Sequence, residues 1–203
     1  MRVLLTGFEP YWDYPENSSW MVAEEVAARG VGNIVAEQMP VSFSHVASVF
    51  HIAVEKHRPD LIIMLGQSGG SDRVKLERVA LNLMDARLPD NDGYIPNEET
   101  IQRDAPEALF TNLPIKDLRM AIEKQGIAVK ISNSCGLYVC NRLYYEALMM
   151  CREKMEMKAI FMHLPFYEGQ PSAKKGKPTM KIDAMVKAIQ TIISEVHDKN
   201  RKI

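Results

Sequence analysis

The chain has 203 residues, 46% of them hydrophobic and 25% charged, with a formal net charge of −1. That length suits one domain, residues 1–203, around one buried core, and the near-zero charge argues against nucleic acid or an anionic membrane as partner. An odd count of 3 cysteines points to a reduced, soluble, cytoplasmic protein; no apolar run is long enough for a signal peptide or a bilayer span.

Aliphatic and β-branched runs alternate with amphipathic stretches, so the spacing predicts an α/β fold. Strands are expected at 3–6, 34–39, 61–65, 78–83, 128–132 and 159–163. The first helix is expected at 20–29. The second carries Val46, Val49, Phe50, Ala53 and Val54 at helical spacing, with Ser44 as its N-cap and Pro59 ending it. Further helices are expected at 115–124, 139–154 and 180–198. The stretch 86–112 is polar and contains Pro89, Pro96 and Pro106, the pattern of a long surface excursion. A second stretch, 169–178, is rich in Lys, Gly and Pro and reads as loose.

One segment combines these signals with chemistry. The expected strand ends near Ser132, Gly136 permits a sharp bend, and an apolar helical pattern follows with Leu143, Ala147, Leu148 and Cys151 on its core side. Cys140 then falls in the first helical turn. Free N–H groups and the positive end of the helix dipole favour a thiolate there, as a cysteine nucleophile requires. Free cysteines are also among the most buried residues, and Cys135 and Cys151 read as packing residues. Cys135 and Cys140 lack CxxC spacing and no histidine lies near them in sequence, so no metal site is expected.

A base and an orienting acid are sought next. His45, His51, His57 and His197 belong to polar helix faces or the charged tail. His163 instead ends the apolar run from Ala159, where an open α/β sheet places ligand-binding groups; a satisfied buried histidine is the competing account. Glu77 is expected at the start of a strand, after the loop Gly66-Gln67-Ser68-Gly69-Gly70. A surface glutamate, or one paired with Arg73 or Arg78, is the competing account, and Asp85 and Asp90 are rival acids.

Four motifs then occur in order: Thr6-Gly7-Phe8-Glu9-Pro10; Glu77-Arg78-Val79-Ala80-Leu81-Asn82 with Asp85 to Asn91; Ser132 to Asn141; and Met162-His163-Leu164-Pro165-Phe166. With them the chain resembles the pyroglutamyl peptidase I (pyrrolidone carboxyl peptidase) family of cysteine peptidases. The resemblance implies a single-domain three-layer α/β/α sandwich with a mixed, largely parallel twisted sheet. It implies a Cys140–His163–Glu77 triad acting through a thioester on N-terminally pyroglutamylated peptides, without a cofactor. It also implies a lactam slot built from Phe8, Tyr11, Gln67 and the Val139 backbone with Asn17 nearby, and a homo-oligomer, dimer or tetramer. Tyr11-Trp12-Asp13 and Ser18 depart from the family's Phe-Gly-Gly and Asn-Pro, and the usual arginine after the Gly-rich loop is Ser71, with Arg73 near enough to substitute. Those departures keep open a different small acyl group or cyclic amide as substrate. A nucleoside- or phosphate-binding reading rests on the Gly66–Gly70 loop, which lacks P-loop and GxGxxG spacing. A non-catalytic binding module is the last alternative.

Overall fold

The structure is a computed structural model that describes residues 1–30, 33–173 and 176–200. In chain order its elements are β1 (Val3–Phe8), α1 (Ser18–Arg29), β2 (Ile34–Met39), α2 (Val46–His57), β3 (Leu61–Gln67), β4 (Val74–Glu77), β5 (Val79–Leu81), β6 (Ala108–Phe110), α3 (Ile115–Lys124), β7 (Val129–Ser132), α4 (Val139–Glu153), β8 (Lys158–Leu164), β9 (Phe166–Tyr167), β10 (Thr179–Met180) and α5 (Ile182–Asn200).

Six strands form the main sheet in the order β2-β1-β3-β8-β4-β7. Neighbours run parallel except β4, which is antiparallel to β8 and parallel to β7. Strands β1, β3 and β8 are buried almost throughout, which is why their sequences are near-continuous aliphatic runs. One sheet face presents residues such as Leu5, Ile63, Leu65, Ile160 and Met162 to α1, α3 and α5. The other presents Leu4, Ile62, Met64, Ala159 and Phe161 to α2 and α4. The result is the expected three-layer α/β/α arrangement with a mixed, mostly parallel sheet.

Four local expectations fail, each for a visible reason. The strand predicted at 78–83 is only Val79–Leu81, and an unpredicted strand, β4, ends just before Arg78. The Arg78 N–H donates to Ser132 O at 2.8 Å and its carbonyl accepts from Thr111 N at 3.0 Å, so the chain leaves the main sheet there. β5 then pairs antiparallel with β6, inside the expected surface excursion. Glu77 is therefore the last residue of a central strand and not the first of a new one. Ser44 does not cap α2; the cap position is His45, whose N–H donates to Ser42 Oγ. The last helix begins at Ile182, because Thr179–Met180 pair with Phe166–Tyr167 as strands. In the stretch 169–178, Lys174 and Lys175 lie outside the described residues, while Gln170 is only 2% exposed and belongs to a buried hydrogen-bond network. That residue contradicts the expectation of a loose segment.

Candidate active site

The β4–β8 pairing sets Glu77 opposite Phe161 and Lys75 opposite His163. Side chains of a strand alternate between faces, so Glu77 and His163 share a face as diagonal neighbours. Glu77 Oε1 lies 2.8 Å from His163 Nδ1. The carboxylate is fully buried and the histidine 8% exposed. The pairing assigns the proton to Nδ1 and leaves Nε2 as the acceptor. Glu77 Oε2 has no hydrogen-bond partner, so the carboxylate's one recorded polar contact through its side chain is the imidazole. The expected alternatives fall away here: Glu77 is not a surface residue and does not pair with Arg73 or Arg78, and Asp90 serves the loop by accepting from Phe43, Asp92 and Tyr94 N–H groups.

The imidazole needs space, and the strand beside it provides this. Gly66 faces His163 in the β3–β8 register. A Cβ at Gly66 would lie 2.9 Å from the Phe161 ring and 3.0 Å from His163 Cδ2, so any larger residue would push these rings aside.

Cys140 reaches the same place from α4, in the helical layer that packs on this face. Gly136, with φ 81°, turns the chain after β7, and Tyr138 stands in extended conformation before α4 begins at Val139. The core face of α4 is as expected: Leu143, Ala147, Leu148 and Cys151 are buried. Asn141, fully buried, anchors the start of α4 to the segment after Glu77. Its side chain accepts from Leu81 N and donates to Leu81 O and Leu83 O. Tyr144, one turn after Cys140, donates its hydroxyl to Glu77 O at 2.9 Å. Hydrogen bonds thus join the cysteine helix both to the Glu77 backbone and to the segment that follows it.

The helix start does not produce the expected thiolate. Burial first, then the Glu77 carboxylate, push the Cys140 thiol up to about 12, against a smaller pull from its own backbone N–H. Cys135 is pushed up too, by burial, Glu77 and Cys140 in turn.

A cavity of about 200 Å³ is lined by Phe8, Tyr11, Trp12, Asn17, Val41, Gln67, Cys135, Tyr138, Val139, Cys140 and His163. Every site residue expected from sequence lines it except Glu77, which stands behind His163. Asn17 has a structural duty as well: it caps α1, accepting from Ser19 N and Ser19 Oγ while donating to Glu9 O. Arg73 does not substitute for an arginine at the site, because it is exposed and held by Asp72 through two contacts of 2.7 Å. Cys135 is not simply a packing residue, since it lines the cavity. Trp12, Val41 and Tyr138 also line it without having been singled out as site residues. Trp12 Nε1 and Tyr138 Oη both donate to Pro89 O, at 3.0 and 2.8 Å, which ties the excursion to the cavity mouth. Hints existed only for Trp12, as a departure from motif. Among the described residues no group of three or more His, Cys, Asp and Glu is placed to hold a metal ion, and no helix is long and apolar enough to cross a membrane.

Comparison with known proteins identifies the family. The family model described as pyroglutamyl peptidase matches residues 1–199. The chain is 38% identical over 205 residues to a pyrrolidone-carboxylate peptidase of Bacillus licheniformis, covering 98% of this chain and 94% of the relative. It is 39% identical over 195 residues to that of Thermococcus onnurineus, covering 95% and 97%. Pyroglutamyl peptidase I of Bacillus amyloliquefaciens superposes with a TM-score of 0.87 at 38% identity, over 94% of this chain and 93% of the other. The pyrrolidone carboxyl peptidase of Thermococcus litoralis gives 0.91 at 32% identity, over 99% and 95%. With a family match over nearly its whole length, the chain belongs to the pyroglutamyl peptidase family of cysteine peptidases, which remove N-terminal pyroglutamate.

Proposed function

We propose that residues 1–203 form one catalytic domain that hydrolyses the amide bond after an N-terminal pyroglutamyl residue, with Cys140 as nucleophile, His163 as base and Glu77 as orienting acid. The observation carrying these roles is the 2.8 Å contact of Glu77 Oε1 with His163 Nδ1, behind a cavity that Cys140 and His163 both line.

With Nδ1–H directed to Glu77, His163 Nε2 accepts the Cys140 thiol proton as sulfur attacks the pyroglutamyl carbonyl carbon. The carbonyl π electrons move to oxygen. The Cys140 N–H, in the unpaired first turn of α4, is the donor available to that oxyanion. Collapse expels the amine, protonated from His163 Nε2, and leaves a thioester. Water, deprotonated by the same nitrogen, then attacks the thioester; the carbon–sulfur bond breaks, the proton passes from His163 Nε2 to the Cys140 sulfur, and free pyroglutamate departs. Charge on the imidazole arises only during transfer, and Glu77 lies where it stabilises that charge.

The lactam is small, flat and uncharged. Phe8 and Tyr11 supply apolar walls, the Gln67 amide donates to the ring carbonyl, and the Val139 backbone accepts from the ring N–H, with Asn17 beside them. The chemistry needs no cofactor. Three unpaired cysteines suit a reducing cytoplasm, and assembly as a dimer or tetramer is the accompanying expectation, read by sedimentation. The decisive assay is turnover of a chromogenic pyroglutamyl amide by the parent and by Cys140→Ser. Loss in the variant is expected; equal turnover overturns the assignment.

A further inference from the structure

Two side-chain amides behind the cavity have fixed orientations, and the second belongs to no catalytic motif. Gln67 ends β3 and lines the cavity. Its Oε1 accepts from Ser18 N at 2.9 Å and from Gln170 Nε2 at 2.7 Å. Ser18 N is a backbone donor, so this end of the amide must be oxygen. Gln170 is in turn set by a backbone donor: its Oε1 accepts from Tyr167 N at 3.1 Å, which turns its NH₂ group to Gln67, with a longer contact to Glu16 O at 3.4 Å. Neither amide can flip without placing two N–H groups, or two oxygens, face to face.

The consequence lies on the cavity side. With both lone-pair directions of Oε1 occupied, Gln67 offers the cavity its NH₂ group, whose one recorded partner is Tyr11 Oη at a long 3.4 Å. We infer that Gln170 is a positioning residue that locks Gln67 as a donor, so that the site selects acyl rings carrying an acceptor oxygen. Gln170 does not line the cavity and is 2% exposed, so it acts through Gln67 alone. Strands β9 and β10, which bracket its loop, thereby join the specificity apparatus. This inference rests on the reading of the cavity as the acyl pocket.

The test compares amides of one fluorogenic amine bearing 3-oxocyclopentanecarbonyl or cyclopentanecarbonyl groups, which differ only in the ring oxygen; the pyroglutamyl amide serves as reference. The ratio of kcat/KM for the two analogues is measured in the parent, Gln170→Met and Gln170→Glu. Because both substrates are read on one preparation, the ratio does not depend on how much of a variant folds. Met removes the donor, and Glu places an acceptor against Gln67 Oε1. Each variant is expected to reduce the preference for the oxo ring by about tenfold, the effect of one lost hydrogen bond. A parent-like ratio in both variants, with or without a parallel fall in rates, overturns the inference while leaving the activity reading intact. Failure of the parent to turn over the pyroglutamyl amide would instead overturn the activity reading, and this inference with it.

Discussion

Replacing Glu77 by Gln keeps the side-chain shape and removes only the charge. In the parent, the imidazolium formed during acyl transfer faces a fully buried carboxylate 2.8 Å from Nδ1, whose second oxygen has no partner. A hydrogen bond between charged groups is worth about 1.5–3 kcal/mol, and two unit charges about 5 Å apart attract by roughly 3 kcal/mol at an effective dielectric of 20. These describe one interaction and are not summed, so the expected loss is about 2–4 kcal/mol, or about 30- to 1,000-fold in kcat. The amide adds a second fault. Its NH₂ can donate to Nδ1, which leaves the proton on Nε2 and closes that nitrogen to the thiol.

Because Glu77 does not line the cavity, KM should stay within about twofold, and kcat and kcat/KM should fall together. Steady-state turnover of a pyroglutamyl anilide measures both, with thermal melting as the control for folding. A kcat within about threefold of the parent, on protein that melts like the parent, would refute the role assigned to the carboxylate.

The remaining predictions concern the thiol, its neighbours and the cavity mouth. With the Cys140 thiol pushed up to about 12, the neutral form dominates at every lower pH. Alkylation of Cys140 in His163→Ala should therefore climb about tenfold per pH unit from 7 to 9, and a plateau below pH 8 in iodoacetamide kinetics would contradict this. Gly66→Ala should displace the Phe161 and His163 rings, lower kcat at least tenfold and destabilise by about 1–3 kcal/mol; kinetics and denaturant melts read the two effects separately. Trp12→Gly relieves a residue held at φ 50° but removes a half-exposed indole and its bond to Pro89 O. KM for the pyroglutamyl amide should rise about three- to tenfold with kcat within about twofold, since about 1 kcal/mol of apolar contact is lost.

Strands β1, β3 and β8 were legible because burial on both faces writes itself as aliphatic runs, and α4 because its apolar positions recur at helical spacing. β4 was not legible: the sequence reads as a strand only from Arg78, and it is the backbone contacts of Arg78 with Ser132 and Thr111 that end the strand carrying Glu77 just before it. Cys140 and His163 stood out by local context, a helix start and a strand end. Glu77 did not, because its burial comes from the antiparallel insertion of β4 beside β8, a pairing between residues 86 apart in sequence. Gln170 was hidden for the same reason. Its partner Gln67 is 103 residues away, and a Lys-, Gly- and Pro-rich neighbourhood masks its anchoring.

The thiol shows why position on a helix was an insufficient guide. A helix N-terminus contributes about 0.3–1 kcal/mol to a nearby negative charge, less than one pKa unit. Moving the thiol from 9.0 to about 12 requires roughly 4 kcal/mol in the opposite direction, and burial supplies the larger share. Burial therefore outweighs the dipole, and Cys140 rests as a neutral thiol. A nucleophile prepared this way is generated only together with an imidazolium, by transfer of the proton to His163. The partner that makes such a transfer affordable is Glu77, whose unpaired buried oxygen is poorly compensated beside a neutral ring and much better compensated beside a charged one. The carboxylate that helps to raise the thiol is thus the same group that favours the imidazolium once an acyl carbonyl is in reach of the sulfur.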